Sequence, residues 1–367
     1  MKHKGIFIAA TGQNVGKTTT CLGVISGLQK RFQKVGFIKP VGQRHVKVNG
    51  GLHVDKDVVL FKEHFNLPFS YEDMSPVILP SGFTRDYLDN KISNDHLREK
   101  IKSSFTTISA TSDYIIVEGT GHSGVGSIID LNNADVAAKL GLEVIIIAPG
   151  GLGSAIDELA LNKLMFESKG ARVRGIILNR VIEDKLDMIR EYIPKVLKKW
   201  GIPLIGCIPY NALLSNPSMQ DFSALFDTPL LSGEEYRYLH FGDTRLVSGS
   251  VETLEEVMIP NQLVITTATR EDIIFAVANE PWNERLAHEN GQHKCGVILT
   301  GRHPPSDKAI EALKRAQIPS LYAAVPSYQA MTSISSFIAK IRNEDTSKVT
   351  QAINLVESNL DFDALCN

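Results

Sequence analysis

Two α/β domains are predicted, the first a three-layer domain with a parallel sheet and the second a smaller one. The first half of the chain alternates apolar, β-branched runs with helix-like segments. Further strand–turn–helix units follow a stretch that contains prolines and serines. The chain has 367 residues, which is more than one ordinary core accommodates.

Six runs in the first half have the composition of strands that are buried on both faces. Each run is continuously apolar rather than alternating, as in a parallel sheet covered by helices on both sides. Because strands and helices alternate, we expect right-handed crossovers. The predicted strands are residues 5–10, 34–42, 113–121, 143–151, 173–181 and 203–209, and the helices between the later ones include 153–170 and 183–199.

The stretch ATGQNVGKTTT, residues 10–20, lies between the first strand and a helix. Backbone N–H groups of such a turn and helix N-terminus converge on one point and create an anion site. Lys17 adds charge for the β- and γ-phosphates, and the Thr18 hydroxyl is placed to bind Mg²⁺. The strict pattern has a glycine five residues before Gly16, where this sequence has Thr11. We predict a nucleotide-binding domain of the P-loop NTPase type; the alternative is a plain helix cap.

Acidic residues that could hold the metal follow two of the apolar runs. Mg²⁺ prefers octahedral oxygen ligands, so a magnesium nucleotide needs carboxylates. Glu118 ends a buried strand, at the edge where open α/β sheets bind ligands. Asp55 and Asp57 precede a helix and are either metal ligands or helix-capping acids. Lys39 ends the second strand and is either a cation at the same edge or a solvated lysine.

The overall composition narrows the class of protein. Hydrophobic residues make up 43% of the chain and charged residues 22%, with a formal net charge of −2. This balance gives no electrostatic reason to expect nucleic acid or an acidic membrane as a partner. Four scattered cysteines lack metal-type spacing, and no apolar run approaches the length of a membrane span. We therefore expect a cytoplasmic protein with reduced thiols.

The predicted domain boundary lies close to Leu214, where the strand-rich pattern ends. The expected organisation is an ATP-binding domain over residues 1–214, a smaller α/β domain over 215–335 and a helical tail over 336–367. The smaller domain is predicted from two strand–turn–helix units and one further strand, at 261–279, 294–316 and 319–324.

Several short motifs occur in a fixed order through the first domain: VGKT, KPV, KD before a helix, VEGTG, ILNRV and IGCIPY. In order and spacing this set resembles dethiobiotin synthetase, and more widely the ATP-binding half of cobyrinic acid diamide synthases. The resemblance covers residues 3–214 and implies ATP and Mg²⁺ as cofactors. It implies that Lys17 and Lys39 are catalytic, with Lys39 neutralising charge on the transferring phosphoryl group. It also implies that Thr18, Asp57 and Glu118 hold the metal.

The same resemblance implies a set of nucleotide-binding residues. Asn179 would bond the adenine edge, and the loop of Pro209 and Tyr210 would close over the ring. The phosphates would lie against the loop, so that the full set is Gly12, Gln13, Asn14, Val15, Gly16, Lys17, Thr18, Thr19, Asn179, Pro209 and Tyr210.

The acceptor half of the family pattern is missing. Dethiobiotin synthetase has a Thr-Glu pair where this chain has Gln13 and Asn14, and a serine-rich stretch where this chain has GQRH. The resemblance therefore does not make this chain a dethiobiotin synthetase, and its acceptor substrate stays open.

The second predicted domain resembles the DRTGG domain. Its namesake motif occurs in two halves, TRED at residues 269–272 and TGR at 300–302, each after a predicted strand. These halves form either an anion site or helix caps and turns. The DRTGG domain joins a dethiobiotin-synthetase-like domain in the N-terminal regulatory part of long bacterial phosphate acetyltransferases. We expect no room for the acetyltransferase domain itself in 367 residues.

Two classes of function follow from these observations. The first is a Mg-ATP-binding protein that either senses ATP and a second effector at the DRTGG domain, or transfers a phosphoryl group to a small carboxylate. The alternative is an ATP-dependent carbon–nitrogen ligase, a cyclo-ligase or an amide-forming enzyme, acting on an unknown acid or amine. A third hypothesis is a protein that still binds nucleotide but has neither the sensing nor the enzymatic role. By analogy with dethiobiotin synthetase we expect a homodimer.

Overall fold

The computed structural model describes residues 4–259, 261–279 and 295–366. The chain divides into two compact units: Met1–Asn211 with Ile341–Asn367, and Ala212–Lys340. The second unit is therefore an insertion, and residues 341–367 return to the first unit instead of forming a separate tail. The predicted unit at 294–316 begins at a residue that lies outside the described part.

The first unit contains a six-stranded, wholly parallel sheet in the order β10-β9-β8-β1-β7-β2. These strands are β1 (Gly5–Ala10), β2 (Val35–Ile38), β7 (Tyr114–Glu118), β8 (Glu143–Pro149), β9 (Val173–Val181) and β10 (Leu204–Pro209). Two small two-stranded sheets accompany it: β3 (Val41–Gly42) with β6 (Val77–Ile78), and β4 (His45–Lys47) with β5 (His53–Asp55). The parallel-sheet prediction is confirmed.

The predicted strand 34–42 is wrong in its second half. β2 ends at Ile38, and Val41–Gly42 pairs elsewhere, with β6. Pro40 has no N–H to donate to a neighbouring strand, so the ladder cannot continue through it. The amide of Lys39 instead donates to the carbonyl of Met74 at 2.9 Å.

Helices cover both faces of the six-stranded sheet, and their starts follow capping rules. The side chains of Ser93 and Asn132 accept backbone N–H bonds at the N-termini of the helices that follow them. The helices are Lys17–Gln29, Lys56–His64, Tyr71–Met74, Phe83–Leu88, Asn94–Ser109, Asn133–Lys139, Gly153–Ser168, Leu186–Trp200, Thr346–Glu357 and Phe362–Cys366, with 3₁₀ turns at Asn49–Gly51, Ser127–Ile129 and Glu183–Lys185.

The returning C-terminal segment covers an otherwise open strand edge. The amide of Cys207 donates to the carbonyl of Asn359 at 3.3 Å, and the amide of Asp361 donates to the carbonyl of Ile205 at 2.8 Å. Leu360 thus bridges β10 in the antiparallel sense. An edge strand with unpaired amides and carbonyls is a site of unwanted pairing, and this segment closes it.

The sheet order determines where a ligand can lie. From β1 the chain moves to β2 on one side, and after β7 it crosses β1 to build β8, β9 and β10 on the other. In open α/β sheets, ligands bind outside the carboxyl ends of the strands, at the point where the strand order reverses. The loop after β1 lies at that point.

The second unit has a five-stranded sheet in the order β11-β15-β14-β13-β12, in which β11 pairs antiparallel and the others pair parallel. The strands are β11 (Leu230–Ser232), β12 (Asp243–Leu246), β13 (Gln262–Thr267), β14 (Gly296–Thr300) and β15 (Ser320–Ala323). The helices are Ala212–Ser215, Met219–Phe226, Val251–Val257, Glu271–Ala278, Asp307–Arg315 and Ser327–Ser335, with a 3₁₀ turn at Glu234–Tyr236.

Successive side chains along a strand point to opposite faces, so the sheet of the second unit carries two hydrophobic cores. On β13, Val264 belongs to one core, while Leu263 and Ile265 belong to the other. This arrangement confirms the smaller α/β domain. Within the described residues, none of the helices combines the length and apolar character needed to cross a bilayer.

Close packing of helix Thr346–Glu357 on helix Lys17–Gln29 depends on Gly23. A Cβ atom at Gly23 would lie 2.4 Å from the Cβ of Val356. We expect Gly23→Ala to lower the free energy of unfolding by about 1–3 kcal/mol, because overpacking forces the two helices apart. Gly153→Ala is the matched control, because a Cβ there meets no atom within 4 Å. Urea denaturation measures both, and equal stabilities would contradict this packing.

Candidate functional site

The loop after β1 is held in a conformation that requires glycine at one position. Gly16 precedes helix Lys17–Gln29 with φ of 102°, in the left-handed region. A Cβ at Gly16 would lie 2.0 Å from Nδ2 of Asn179. That Nδ2 atom donates to the carbonyl of Val15 at 2.8 Å. Asn179, at the carboxyl end of β9, therefore fixes the turn that opens the helix.

Thr11 occupies the position where the strict loop pattern has glycine, and the structure accommodates it. Its Oγ1 donates to Oε2 of Glu158 at 2.7 Å, and its amide donates to the carbonyl of Ile147 at 2.9 Å. The Thr11 side chain is therefore bound by a residue of helix Gly153–Ser168. The departure from the strict pattern leaves the loop intact.

Lys17 lies where the loop faces the segment after β7. Its Nζ donates to the carbonyl of Gly121 at 2.9 Å and to that of Gly12 at 3.4 Å. Burial lowers the pKa of Lys17, while the nearby Glu118 carboxylate raises it. The ammonium group is thus bound to carbonyl oxygens of the loop and of the segment after β7.

A buried ion cluster lies at the same edge of the sheet. Nζ of Lys39 is 3.1 Å from Oδ1 of Asp55 and 3.4 Å from Oε1 of Glu118, and it also pairs with Asp57. The Lys39 side chain is only 7% exposed. Burial lowers its pKa, but the three carboxylates outweigh this and raise that pKa well above its usual value.

The cluster shows which contacts Lys39 and Asp55 make. Lys39 is a buried ion-pair partner and not a solvated lysine. Asp55 caps a helix, because its Oδ1 accepts from the amide of Asp57 at 3.0 Å, and it also pairs with Lys39. The structure thus brings Lys39, Asp55, Asp57 and Glu118 together from the ends of β2, β5 and β7 and the start of helix Lys56–His64.

Glu118 combines deep burial with an incompletely satisfied carboxylate. It is 1% exposed, and its Oε2 atom is buried without a hydrogen-bond partner among the described residues. Burial is the main cause that raises the pKa of Glu118 to about 7. An orphaned carboxylate oxygen in a buried site is costly unless a cation or a proton satisfies it.

The oxygen donors here fit Mg²⁺ bound together with phosphates. Asp57 and Glu118 offer carboxylate oxygens, and Thr18 offers a hydroxyl in the first turn of its helix. Among the described residues, no three His, Cys, Asp or Glu side chains form a metal cage by themselves. Mg²⁺ is commonly bound by one or two carboxylates plus substrate phosphates, so a cage is not required.

The segment after Glu118 is braced by a residue that sequence reasoning missed. Nδ2 of Asn133 donates to the carbonyls of Thr120 at 2.7 Å and His122 at 2.6 Å, and its Oδ1 accepts from the amide of Thr120 at 3.1 Å. Gly119 is needed beneath this brace, because a Cβ there would lie 2.7 Å from Oδ1 of Asn133. No local motif marks Asn133; only the folded position identifies it.

The residues predicted to contact adenine lie on the other side of β1 from the ion cluster. Pro209 ends β10 next to β9, and the amide of Tyr210 donates to the carbonyl of Val181 at 2.8 Å. Tyr210 is 50% exposed. The contact of Asn179, Pro209 and Tyr210 with adenine stays a prediction, since the Nδ2 atom of Asn179 already supports the loop.

In the second unit the first half-motif braces a turn. The Arg270 guanidinium donates to both carboxylate oxygens of Asp272 at 2.8 Å and to the carbonyls of Ser248 at 3.1 Å and Gly249 at 2.7 Å. These donors are used within the unit, which favours the turn-forming role. In the second half-motif, Oγ1 of Thr300 bonds the carbonyl of Thr266 at 3.0 Å and lies 2.7 Å from Oγ of Ser327.

The loop between a central parallel strand and a helix, the two lysines and the carboxylates at one sheet edge define the first unit as a P-loop ATPase-like domain. A family model described as an AAA domain matches residues 4–218, more than half of the chain, and the chain belongs to this family. A second model, described as a DRTGG domain, matches residues 224–337.

Two kinds of curated relatives match the chain, one over almost all of its length and the other over 55% of it. The phosphate acetyltransferase of Pseudomonas aeruginosa is 27% identical over 379 residues, covering 98% of this chain and 51% of that protein. The ATP-dependent dethiobiotin synthetase of Methanocaldococcus jannaschii is 28% identical over 208 residues, covering 55% of this chain and 92% of that protein. The chain spans about half the length of the phosphate acetyltransferases that it matches.

Solved structures are more distantly similar. The cell division protein MinD of Aquifex aeolicus aligns with 57% of this chain and 83% of its own, at 17% identity and a TM-score of 0.36. The CBS and DRTGG domains of the Clostridium perfringens pyrophosphatase regulatory region, complexed with diadenosine tetraphosphate, align with 44% of this chain and 73% of that chain, at 16% identity and a TM-score of 0.27.

Removing Lys39 should unbalance the cluster. We expect Lys39→Met to lower the free energy of unfolding of the metal-free protein by about 3–5 kcal/mol, because it leaves buried carboxylates uncompensated. Lys91→Met is the control, since Lys91 pairs with Asp86 and Asp89 in an exposed position, and it should have a much smaller effect. Denaturation without divalent cations measures both variants, and equal losses would rule out a balancing role for Lys39.

The raised pKa of Glu118 predicts a pH dependence of stability. The folded protein holds the proton up to about pH 7, so the contribution of this group to stability is present at acidic pH and is lost as the pH rises through that value. Between pH 5 and pH 8 we expect the free energy of unfolding of the metal-free wild type to fall by about 1–3 kcal/mol more than that of Glu118→Gln. Urea denaturation at several pH values tests this; parallel curves for the two proteins would refute it.

Proposed function

We propose that the first unit binds Mg-ATP and that the chain is an ATP-responsive regulatory module. The observation that carries this proposal is the convergence of Lys17, Lys39, Asp57 and Glu118 at the carboxyl edge of the sheet, beside the loop after β1. Gln13 and Asn14 replace the Thr-Glu pair of dethiobiotin synthetase, and this loss of acceptor residues favours sensing over turnover. The chain matches about half the length of phosphate acetyltransferases, and this match supports a partner in acetyl-phosphate metabolism.

In this proposal, each part of the site has a separate task. The loop amides and the Lys17 ammonium bind the β- and γ-phosphates, and Thr18, Asp57 and Glu118 hold the metal. Mg²⁺ supplies further neutralisation of phosphate charge. The adenine base binds on the other side of β1 from the ion cluster, against Asn179, Pro209 and Tyr210. A second effector at the DRTGG domain, a homodimer and a cytoplasmic location belong to the same proposal.

A second candidate function is phosphoryl transfer to a small carboxylate. Its support is Lys39, a cation held by three carboxylates at the edge where the γ-phosphate would lie. A carboxylate oxygen would attack the γ-phosphorus, the bond to the β-bridging oxygen would break, and ADP and an acyl phosphate would form. Lys17 and Lys39 would stabilise the charge on the transferring group. An amine that captures this acyl phosphate would make the chain a ligase.

Binding and turnover of ATP test both candidates. Calorimetry with Mg²⁺ should detect ATP binding by the wild type, and Lys17→Ala should remove it because the phosphates lose their main cation. Lys30→Ala is the matched control; Lys30 follows the same helix and pairs with Glu357 outside the site. Undiminished binding by Lys17→Ala would refute the site.

Turnover then separates the two candidates. ATP hydrolysis is measured alone and with a panel of small carboxylates and diamines. Tight binding with little turnover across the panel is expected for a sensor. Turnover that rises strongly with one compound would instead establish a transferase or ligase and identify its substrate class.

A further inference from the structure

Asn162 connects two segments of the candidate site that are far apart in the sequence. It lies within helix Gly153–Ser168 and is 6% exposed. Its Oδ1 accepts from the amide of Ser123 at 2.9 Å, in the segment that follows Glu118. Its Nδ2 donates to the carbonyl of Thr11 at 3.4 Å, at the start of the phosphate-binding loop, and to that of Glu158 at 2.9 Å.

The helix that carries Asn162 is a rigid support. Leu159 and Phe166 are fully buried, and the Phe166 ring lies 6.3 Å from that of Phe7 in β1. One turn before Asn162, Glu158 accepts the Thr11 hydroxyl at 2.7 Å. Two side chains of one helix therefore hold Thr11, and one of them also holds Ser123.

The two segments joined by Asn162 are the same two that hold Lys17. Nζ of Lys17 donates to Gly12, the residue after Thr11, and to Gly121, two residues before Ser123. The spacing between the segments therefore sets where the ammonium group lies. Small errors in the placement of a charged group weaken its interaction with phosphate strongly, because the attraction falls with distance.

We propose that Asn162 is a positioning residue: it fixes the distance between the phosphate-binding loop and the Glu118 segment, and through this the position of Lys17. The proposal rests on the proposed ATP binding for its functional consequence. The bridge that Asn162 makes between Thr11 and Ser123 exists in the protein without nucleotide. It can therefore be tested separately from the proposed ATP binding.

Two variants remove the bridge in different ways. Asn162→Leu is close in size and loses all three side-chain bonds, so that Ser123 N–H and Thr11 C=O lose the partner that joined them. Asn162→Asp can still accept from Ser123 but cannot donate to Thr11 or Glu158, and it keeps the assay open if the leucine variant fails to fold. Asn354→Asp, at an exposed position of helix Thr346–Glu357, is the neutral control.

Hydrogen exchange of the nucleotide-free protein tests the bridge. Asn162→Leu should increase exchange in residues 11–16 and in residues 119–124 together. Asn133→Asp, which perturbs a brace confined to the Glu118 segment, should increase exchange in residues 119–124 alone. If both variants changed only residues 119–124, the bridge would be refuted, whatever the protein binds.

Nucleotide affinity tests the consequence for Lys17. With Mg²⁺, both Asn162 variants should bind ATP about tenfold more weakly than the wild type. AMP lacks the β- and γ-phosphates that Lys17 would hold, so its affinity should not change. Equal losses for ATP and AMP would mean general damage and overturn the positioning role. Absence of ATP binding by the wild type would overturn the proposed function and this consequence with it, while the exchange measurement still decides the bridge.

Discussion

The ion cluster around Lys39 is the constraint on which the arrangement of the first unit depends. Three carboxylates from two separate segments of the chain lie around one buried ammonium group, and removing that group would leave buried carboxylates uncompensated. The cluster therefore joins β2, the start of helix Lys56–His64 and β7 at one edge of the sheet. Replacing a buried ion cluster by well-packed apolar residues is often neutral or stabilising, so under the proposed function the charges serve to hold Mg-ATP.

The sequence alone predicts those site residues that lie at strand ends. Lys39 and Glu118 each follow or end an apolar run, and parallel strands bring such ends to one edge. The sequence leaves open whether Asp55 is a metal ligand or a helix-capping acid, because the two look alike in sequence. Asn133 and Asn162 were missed, because their partners lie in other segments and no motif marks an asparagine within a helix.

The second unit shows why a motif match alone did not specify chemistry. An arginine at a strand end could meet an anion or hold a turn, and the choice depends on which acceptors lie around it. Arg270 meets the carboxylate of Asp272 and two backbone carbonyls of the preceding loop, which occupy its donors. Neither the position nor the composition of the segment contains that information.

The return of residues 341–367 to the first unit has a consequence for how the protein is made. Helix Lys17–Gln29, which begins at the phosphate-binding loop, is covered by Thr346–Glu357, and the edge of β10 is closed by Leu360. A ribosome completes these covering residues only after the whole second unit has been synthesised. Until then the first unit is incomplete, and the edge of β10 is open. Contacts between residues so far apart in the sequence also form slowly. The chain of the second unit is therefore complete before that of the first unit.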